Sequence, residues 1–100
     1  MKKTGIELIA QERAEQIEKH GKSIEKDVEI NKIGQLAAAA AVLSHPDLSS
    51  PRKRFGGMPA SWDDSICLRM CSKAKIERLI IAGALIAAEI DRLQASSNSD

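Results

Sequence analysis

The chain has 100 residues, of which 43% are hydrophobic and 29% are charged, and its formal net charge is +1. This length fits one soluble globular domain and leaves no room for a second. A net charge near zero removes the electrostatic argument for nucleic acid as a partner. The longest uncharged apolar run, residues 79–88, falls well short of the about 20 residues that span a bilayer, so no membrane partner is expected.

The apolar composition favours helices. The sequence contains 14 Ala, 12 Ile and 8 Leu, but only 2 Val, one Phe, one Trp and no Tyr. Ala and Leu are strong helix formers, whereas Val and the aromatic residues that populate strands are scarce. We therefore predict an all-α fold. Because alanine buries little area and so short a chain buries only about 60–65% of its unfolded surface, the core would be thin, and we expect a homo-oligomer.

The predicted elements begin with a long helix. Thr4 and Glu7 form a capping box at its start, and the helix ends near His20, before a glycine. A second long helix covers about residues 28–44 and contains a run of five alanines. It ends before Pro46, because the residue preceding a proline is pushed out of helical space.

A basic loop follows the second helix at about residues 45–61. Ser61 or Asp63 is then expected to cap a short helix that ends at Cys71, and a third long helix covers about residues 72–94. The prediction is therefore three long helices and one short one, arranged as a helical hairpin or bundle. They form a single domain over residues 1–95, with a disordered polar tail at 96–100.

Two surfaces of these helices predict contacts. Arg13 lies near the centre of the apolar stripe of the first helix, where an unpaired charge is costly, so we expect it to pair with Asp91 or Glu89. On the last helix, Ile81 and Leu85 form a second apolar patch, which would meet either another subunit or the short helix. The principal buried face of that helix, expected to pack on the alanine run, consists of Ile76, Ile80, Gly83, Ala87 and Ile90.

Metal chemistry is not expected. Cys67 and Cys71 lie four residues apart on a predicted helix, where disulfides are rare, so reduced thiols are predicted. Together with His20 and His45 they lack the ligand spacing of a zinc site. We therefore predict no metal and no cofactor.

Several motifs in order along the chain carry a resemblance: Glu12, Arg13, Gln16, Lys19 and Gly21 (ERxxQxxKxG), Asp27, residues 35–39, Trp62, residues 77–79, and residues 82–93 (AGALIAAEIDRL). On these residues the chain resembles a family of small, all-helical proteins encoded by bacteriophages and prophages. The resemblance covers about residues 6–93. It implies a phage origin and a cytoplasmic setting in the infected host cell, and it implies no particular activity.

A ligand site is predicted around the basic loop. Positive charge, an aromatic ring and a flexible backbone are suited to phosphate, and Trp62 is placed to stack on a base. By origin, size and charge placement the chain is similar to the phage anti-defence sponges, small oligomers that sequester nucleotide signals of host defence. We thus expect non-catalytic binding of a cyclic nucleotide or ADP-ribose type ligand, in a pocket between subunits that associate through the last helix. The candidate residues are Arg13, Gln16, Lys19, His20, Arg52, Lys53, Arg54, Phe55 and Trp62.

Two alternatives stay open. The carboxylates Glu12, Glu15, Asp27 and Asp91 suggest a Mg²⁺-dependent enzyme similar to the all-helical nucleotide pyrophosphohydrolases. Their spacing departs from the Glu-Glu-x-x-Glu and Glu-x-x-Asp motifs of those enzymes. The third possibility is a plain protein-interaction module that uses Ile81 and Leu85.

Overall fold

The structure, a computed structural model, describes residues 2–20, 24–31, 34–45 and 58–97, and the regular secondary structure in these ranges is helical throughout. The predicted all-α fold is confirmed. Within the same ranges, no helix has the length and apolar character needed to cross a membrane. The helices are α1 (Gly5–His20), α2 (Ile24–Ile30), α3 (Gln35–Leu43), α4 (Asp64–Cys71) and α5 (Lys75–Ser97).

The first helix starts at the predicted capping box. The backbone N–H of Thr4 donates to Glu7 Oε1 at 2.9 Å, and the backbone N–H of Glu7 donates to Thr4 Oγ1 at 3.2 Å. These bonds satisfy donors that the first turn of a helix leaves open. The hydrogen bond from the Thr4 backbone also lowers the pKa of Glu7, because it favours the charged carboxylate.

The prediction of one long second helix is wrong. Two short helices, α2 and α3, take its place, and the chain between them includes Asn31 and Gly34. Gly34 has a φ of 87°, a left-handed conformation that interrupts a helix and favours glycine. The described ranges therefore contain two long helices, α1 with 16 residues and α5 with 23, rather than the predicted three.

The short helix α4 is capped by Asp63 rather than Ser61. The Asp63 carboxylate accepts the backbone N–H groups of Ser65 at 2.8 Å and Ile66 at 3.3 Å. Its hydrogen bonds with Ser65 are the main reason that the pKa of Asp63 is lowered. Ser72 closes α4 at its other end, and α5 then begins at Lys75, slightly later than predicted.

The hydrophobic core lies mainly between α3 and α5. Arg78, which is buried, donates from Nη1 to the backbone oxygens of Leu43 at 3.1 Å and His45 at 2.9 Å, and so binds the C-terminal end of α3 to α5. Four of the ten core residues are alanines, in line with the thin core expected from composition. The core cluster consists of Leu36, Ala39, Ala40, Val42, Leu43, Cys71, Ile81, Ala82, Leu85 and Ala88.

The predicted faces of the last helix are wrong. Ile81 and Leu85, expected to meet either another subunit or the short helix, are buried in the core cluster that includes Cys71 of α4, whereas Ile76 and Ile90 of the expected buried face are exposed by 64% and 51%. Gly83 does not face the alanine run. A Cβ atom at this position would lie 2.5 Å from Cδ1 of Ile9, so glycine permits the close approach of α1 to α5.

Candidate functional site

A cleft of about 810 Å³ lies between α1, α2, α4 and α5. This volume is within the range of about 300–1,000 Å³ that is typical of small-molecule sites. Its apolar surface is formed by Leu36, Ile66, Met70, Ile80, Ile81, Leu85 and Ala88. The polar and aromatic residues that line it are Glu12, Arg13, Glu15, Gln16, Asp27, Asn31, Ser61, Trp62, Asp63, Arg69, Lys73 and Glu77.

Trp62 is held in the cleft wall by a chain of hydrogen bonds. Its indole Nε1 donates to Oδ1 of Asn31 at 3.0 Å, and Nδ2 of Asn31 donates to Oδ1 of Asp27 at 2.9 Å. Asn31 and Asp27 are both buried. The amide oxygen and the amide nitrogen of Asn31 are both hydrogen-bonded, so this buried side chain has one stable orientation. Asn31 therefore fixes the N–H edge of the indole ring relative to α2.

Arg13 joins the first, second and last helices. Its Nη2 lies 3.5 Å from Oδ2 of Asp91 and 3.9 Å from Oδ2 of Asp27. The predicted pairing of Arg13 with Asp91 is confirmed. The contact with Asp27 was not predicted. Glu89, the other predicted partner, instead accepts a hydrogen bond from Arg92 Nε at 2.5 Å, which raises the pKa of Arg92.

Three of the candidate ligand-binding residues, Arg13, Gln16 and Trp62, line this one cleft. They come from a helix and a turn that are far apart in sequence. Gln16 is buried, and its Nε2 donates to Oε2 of Glu12 at 3.3 Å. Lys19 is exposed and is not among the cleft residues. The side chain of His20 and the whole of Arg52, Lys53, Arg54 and Phe55 lie outside the described part of the chain.

Two cations of the cleft were missed by sequence reasoning. Arg69 lies in the last turn of α4, Lys73 lies in the bend between α4 and α5, and both line the cleft. Nζ of Lys73 lies 3.9 Å from Oε2 of Glu77. No helical spacing joins these two residues, because α4 ends at Cys71, so only the tertiary structure shows that both line the same cleft as Trp62.

The described lining of the cleft is acidic overall. Five carboxylate side chains face three cations, and two of the cations, Arg13 and Lys73, lie within 4 Å of Asp27 and Glu77 respectively. Arg69 is exposed, and its positive charge contributes to the lowered pKa of Asp63. These residues therefore provide apolar and aromatic contacts, but little net attraction for a multiply charged anion.

The described residues contain no group of three or more His, Cys, Asp and Glu side chains placed to hold a metal ion. Cys67 and Cys71 are free thiols buried in α4, as predicted. Burial is the main cause that raises the pKa of Cys67, which keeps this thiol protonated and unreactive at neutral pH. The arrangement is therefore suited to binding through shape, stacking and hydrogen bonds.

No family model matches the chain, and no match was found among curated proteins or solved structures.

Proposed function

We propose that this chain binds a small phosphorylated nucleotide in the cleft and sequesters it without changing it chemically. The observation that carries the proposal is that Arg13, Gln16 and Trp62, drawn from separate parts of the sequence, line one cleft of about 810 Å³. An apolar pocket with a few fixed polar groups is the usual form of a small-molecule site. A base stacked on Trp62 would gain about 1–3 kcal/mol.

The phosphate requires positive charge beyond the paired cations of the cleft. Among the described lining residues, Arg69 is best suited, because it is exposed and a guanidinium binds phosphate through two parallel hydrogen bonds. The proposal assigns the remaining phosphate contacts to Arg52, Lys53 and Arg54. Without such cations the carboxylates of the lining would repel a polyphosphate.

Self-association through the last helix belongs to the proposal as well. The expected patch of Ile81 and Leu85 is buried against the chain's own helices. Other apolar residues of α5 are exposed, and they support association through a different face. The proposed ligand site itself is formed within one chain, in contrast to the pocket between subunits expected from the sequence.

Binding is tested by thermal unfolding with a cyclic dinucleotide, a cyclic mononucleotide and ADP-ribose. Free ligand at about 100 times its Kd stabilises a protein by about 2.7 kcal/mol, which raises the Tm of a domain of this size by about 10 °C or more. The protein is then denatured by heat and the released ligand is identified by chromatography. Intact ligand supports sequestration. Cleavage that requires Mg²⁺ would favour the pyrophosphohydrolase alternative, and no shift with any ligand would contradict binding.

The residue assignments are tested with matched variants. Arg69→Ala is expected to weaken binding about tenfold, because it removes a charge-assisted contact. Lys19→Ala removes a cation that lies outside the cleft and should leave the affinity unchanged. Trp62→Phe retains an aromatic ring and should bind more tightly than Trp62→Leu. Equal losses in Arg69→Ala and Lys19→Ala would show that the cleft does not hold the phosphate.

A further inference from the structure

Seven large aliphatic side chains of α1 and α5 are exposed, and all of them except Ile76 lie on one side of these two helices. The exposed fractions of these six run from 40% at Ile17 to 82% at Ile6, and four lie near 50%. Together the six present roughly 600 Å² of apolar surface, at the upper limit of the largest patch on a typical monomer. We name this surface the outer face; it consists of Ile6, Ile17, Leu79, Ile86, Ile90 and Leu93.

The outer face lies on the side of the molecule opposite the cleft. The contact of Ile9 with Gly83 joins α1 to α5. At about 100° per residue, Glu12 of α1 and Ala88 of α5, which line the cleft, lie on one side of this contact. The outer-face residues of both helices lie on the other side. The two sets of exposed residues therefore form one surface, and a partner bound there leaves the cleft open.

The area and the composition of the outer face fit a second copy of the chain. A standard interface takes about 800 Å² from each partner, so roughly 600 Å² of apolar centre with a polar rim is sufficient. All six residues are aliphatic, and an aliphatic surface is complementary to itself, as a two-fold interface requires. The α5 part of the face runs from residue 79 to 93, and Ile86 lies at its midpoint.

We propose that two copies associate through the outer face, with α5 of one copy antiparallel to α5 of the other and Ile86 near the two-fold axis. Antiparallel packing places opposite ends of the two helix dipoles side by side, which is the favourable arrangement. Each copy then retains a complete cleft that faces away from its partner. The dimer presents two separate sites, each built by one chain.

The mass in solution tests the proposal without any ligand. Light scattering after size-exclusion chromatography should give twice the chain mass of 10.8 kDa for the wild type. Ile86→Lys should halve this mass, because it places a charge at the centre of the interface. Ile66→Lys is the matched control, since Ile66 is exposed by 46% and Ile86 by 50%, but Ile66 lines the cleft. This control should remain dimeric, and circular dichroism should show that both variants keep their helices.

Cysteine crosslinking locates the axis. Under mild oxidation Ile86→Cys should form a covalent dimer, whereas the wild type, with Cys67 and Cys71 buried, should not. Glu29→Cys, an exposed position on α2, is the control and should stay uncrosslinked. The proposal is overturned if the wild type has a mass of 10.8 kDa at every concentration, or if the dimer survives Ile86→Lys. It is also overturned if Ile66→Lys dissociates the dimer equally well, or if Glu29→Cys crosslinks as readily as Ile86→Cys.

Discussion

Trp62 donates its indole N–H to Oδ1 of Asn31 at 3.0 Å, across 31 residues of sequence. Asn31 bonds in turn to Asp27, and Asp27 lies beside Arg13. One buried amide thus connects the aromatic wall of the cleft to the ion pairs between α1, α2 and α5. Since the chain has a single Trp and no Tyr, its intrinsic fluorescence reports this wall alone.

Asn31→Ala is expected to loosen the cleft wall. It leaves the indole N–H and Oδ1 of Asp27 without their partner, and an unsatisfied buried polar group costs about 1–3 kcal/mol. Urea unfolding followed by fluorescence should show this loss, with a red-shifted emission in the native state. Gln11→Ala, at an exposed position of α1, serves as the control and should change neither quantity. Unchanged emission in Asn31→Ala would mean that the hydrogen bond does not hold the ring.

Arg13→Met is expected to destabilise the fold by about 3 kcal/mol, the lower end of the cost of breaking a buried ion pair, because Arg92 still offsets part of the charge left behind. The charge left behind is that of Asp27, which is 1% exposed. Adding Asp27→Asn should recover part of this loss. Lys73→Ala breaks an exposed pair with Glu77 and should cost about 1 kcal/mol or less. Urea midpoints give all three values, and a loss in Arg13→Met no larger than in Lys73→Ala would refute a structural role.

Gly83→Ala is expected to destabilise the contact between α1 and α5. Alanine gains about 1 kcal/mol in helix propensity over glycine, but its Cβ would stand 2.5 Å from Cδ1 and 2.8 Å from Cγ1 of Ile9. Overpacking of this kind costs about 1–3 kcal/mol, so a net loss near 1 kcal/mol is expected in thermal unfolding. Ile9→Ala removes both Cδ1 and Cγ1 and should restore part of the stability in the double variant. A Gly83→Ala protein more stable than the wild type would show that Ile9 moves aside freely.

Acid should weaken the two capped helix starts. Glu7 and Asp63 have pKa values lowered from 4.5 and 3.8 by hydrogen bonds to their carboxylates. A carboxyl group with a lowered pKa in the folded state stabilises the fold above its ordinary pKa, and this contribution is lost as the pH falls through the folded pKa. Helicity followed by circular dichroism should therefore decline below about pH 4. Glu7→Gln keeps the capping box without a titrating group, so its decline should be smaller.

The capping residues at two helix starts are predicted by the sequence. Thr4 and Glu7 form the predicted capping box, and Asp63 is one of the two caps expected for the short helix. Such bonds join residues two or three positions apart, so their geometry depends on little else. The break at Gly34 was missed because the surrounding composition is strongly helical, and a single glycine does not by itself show a positive φ.

The cleft was predictable only in part. The chemistry of Arg13, Gln16 and Trp62 predicts them as site residues, and the tertiary structure brings them together in one cleft. Asn31 is not predicted as a site residue, because its role depends on Trp62, which lies 31 residues further along the chain. Arg69 and Lys73 are not predicted either, because Lys73 lies beyond the end of α4 and only the tertiary structure shows which side of α4 faces the cleft.

Composition and helical spacing, by themselves, determined that this chain folds as α-helices with a thin, alanine-rich core and that Arg13 needs a carboxylate from the last helix. The tertiary structure decided which side of α5 is buried. A long helix with aliphatic residues around most of its circumference has no strongly polar side, so its sequence does not specify one orientation. The helices that pack against α5 determine its orientation: they bury Ile81 and Leu85 and leave Ile86 and Ile90 exposed.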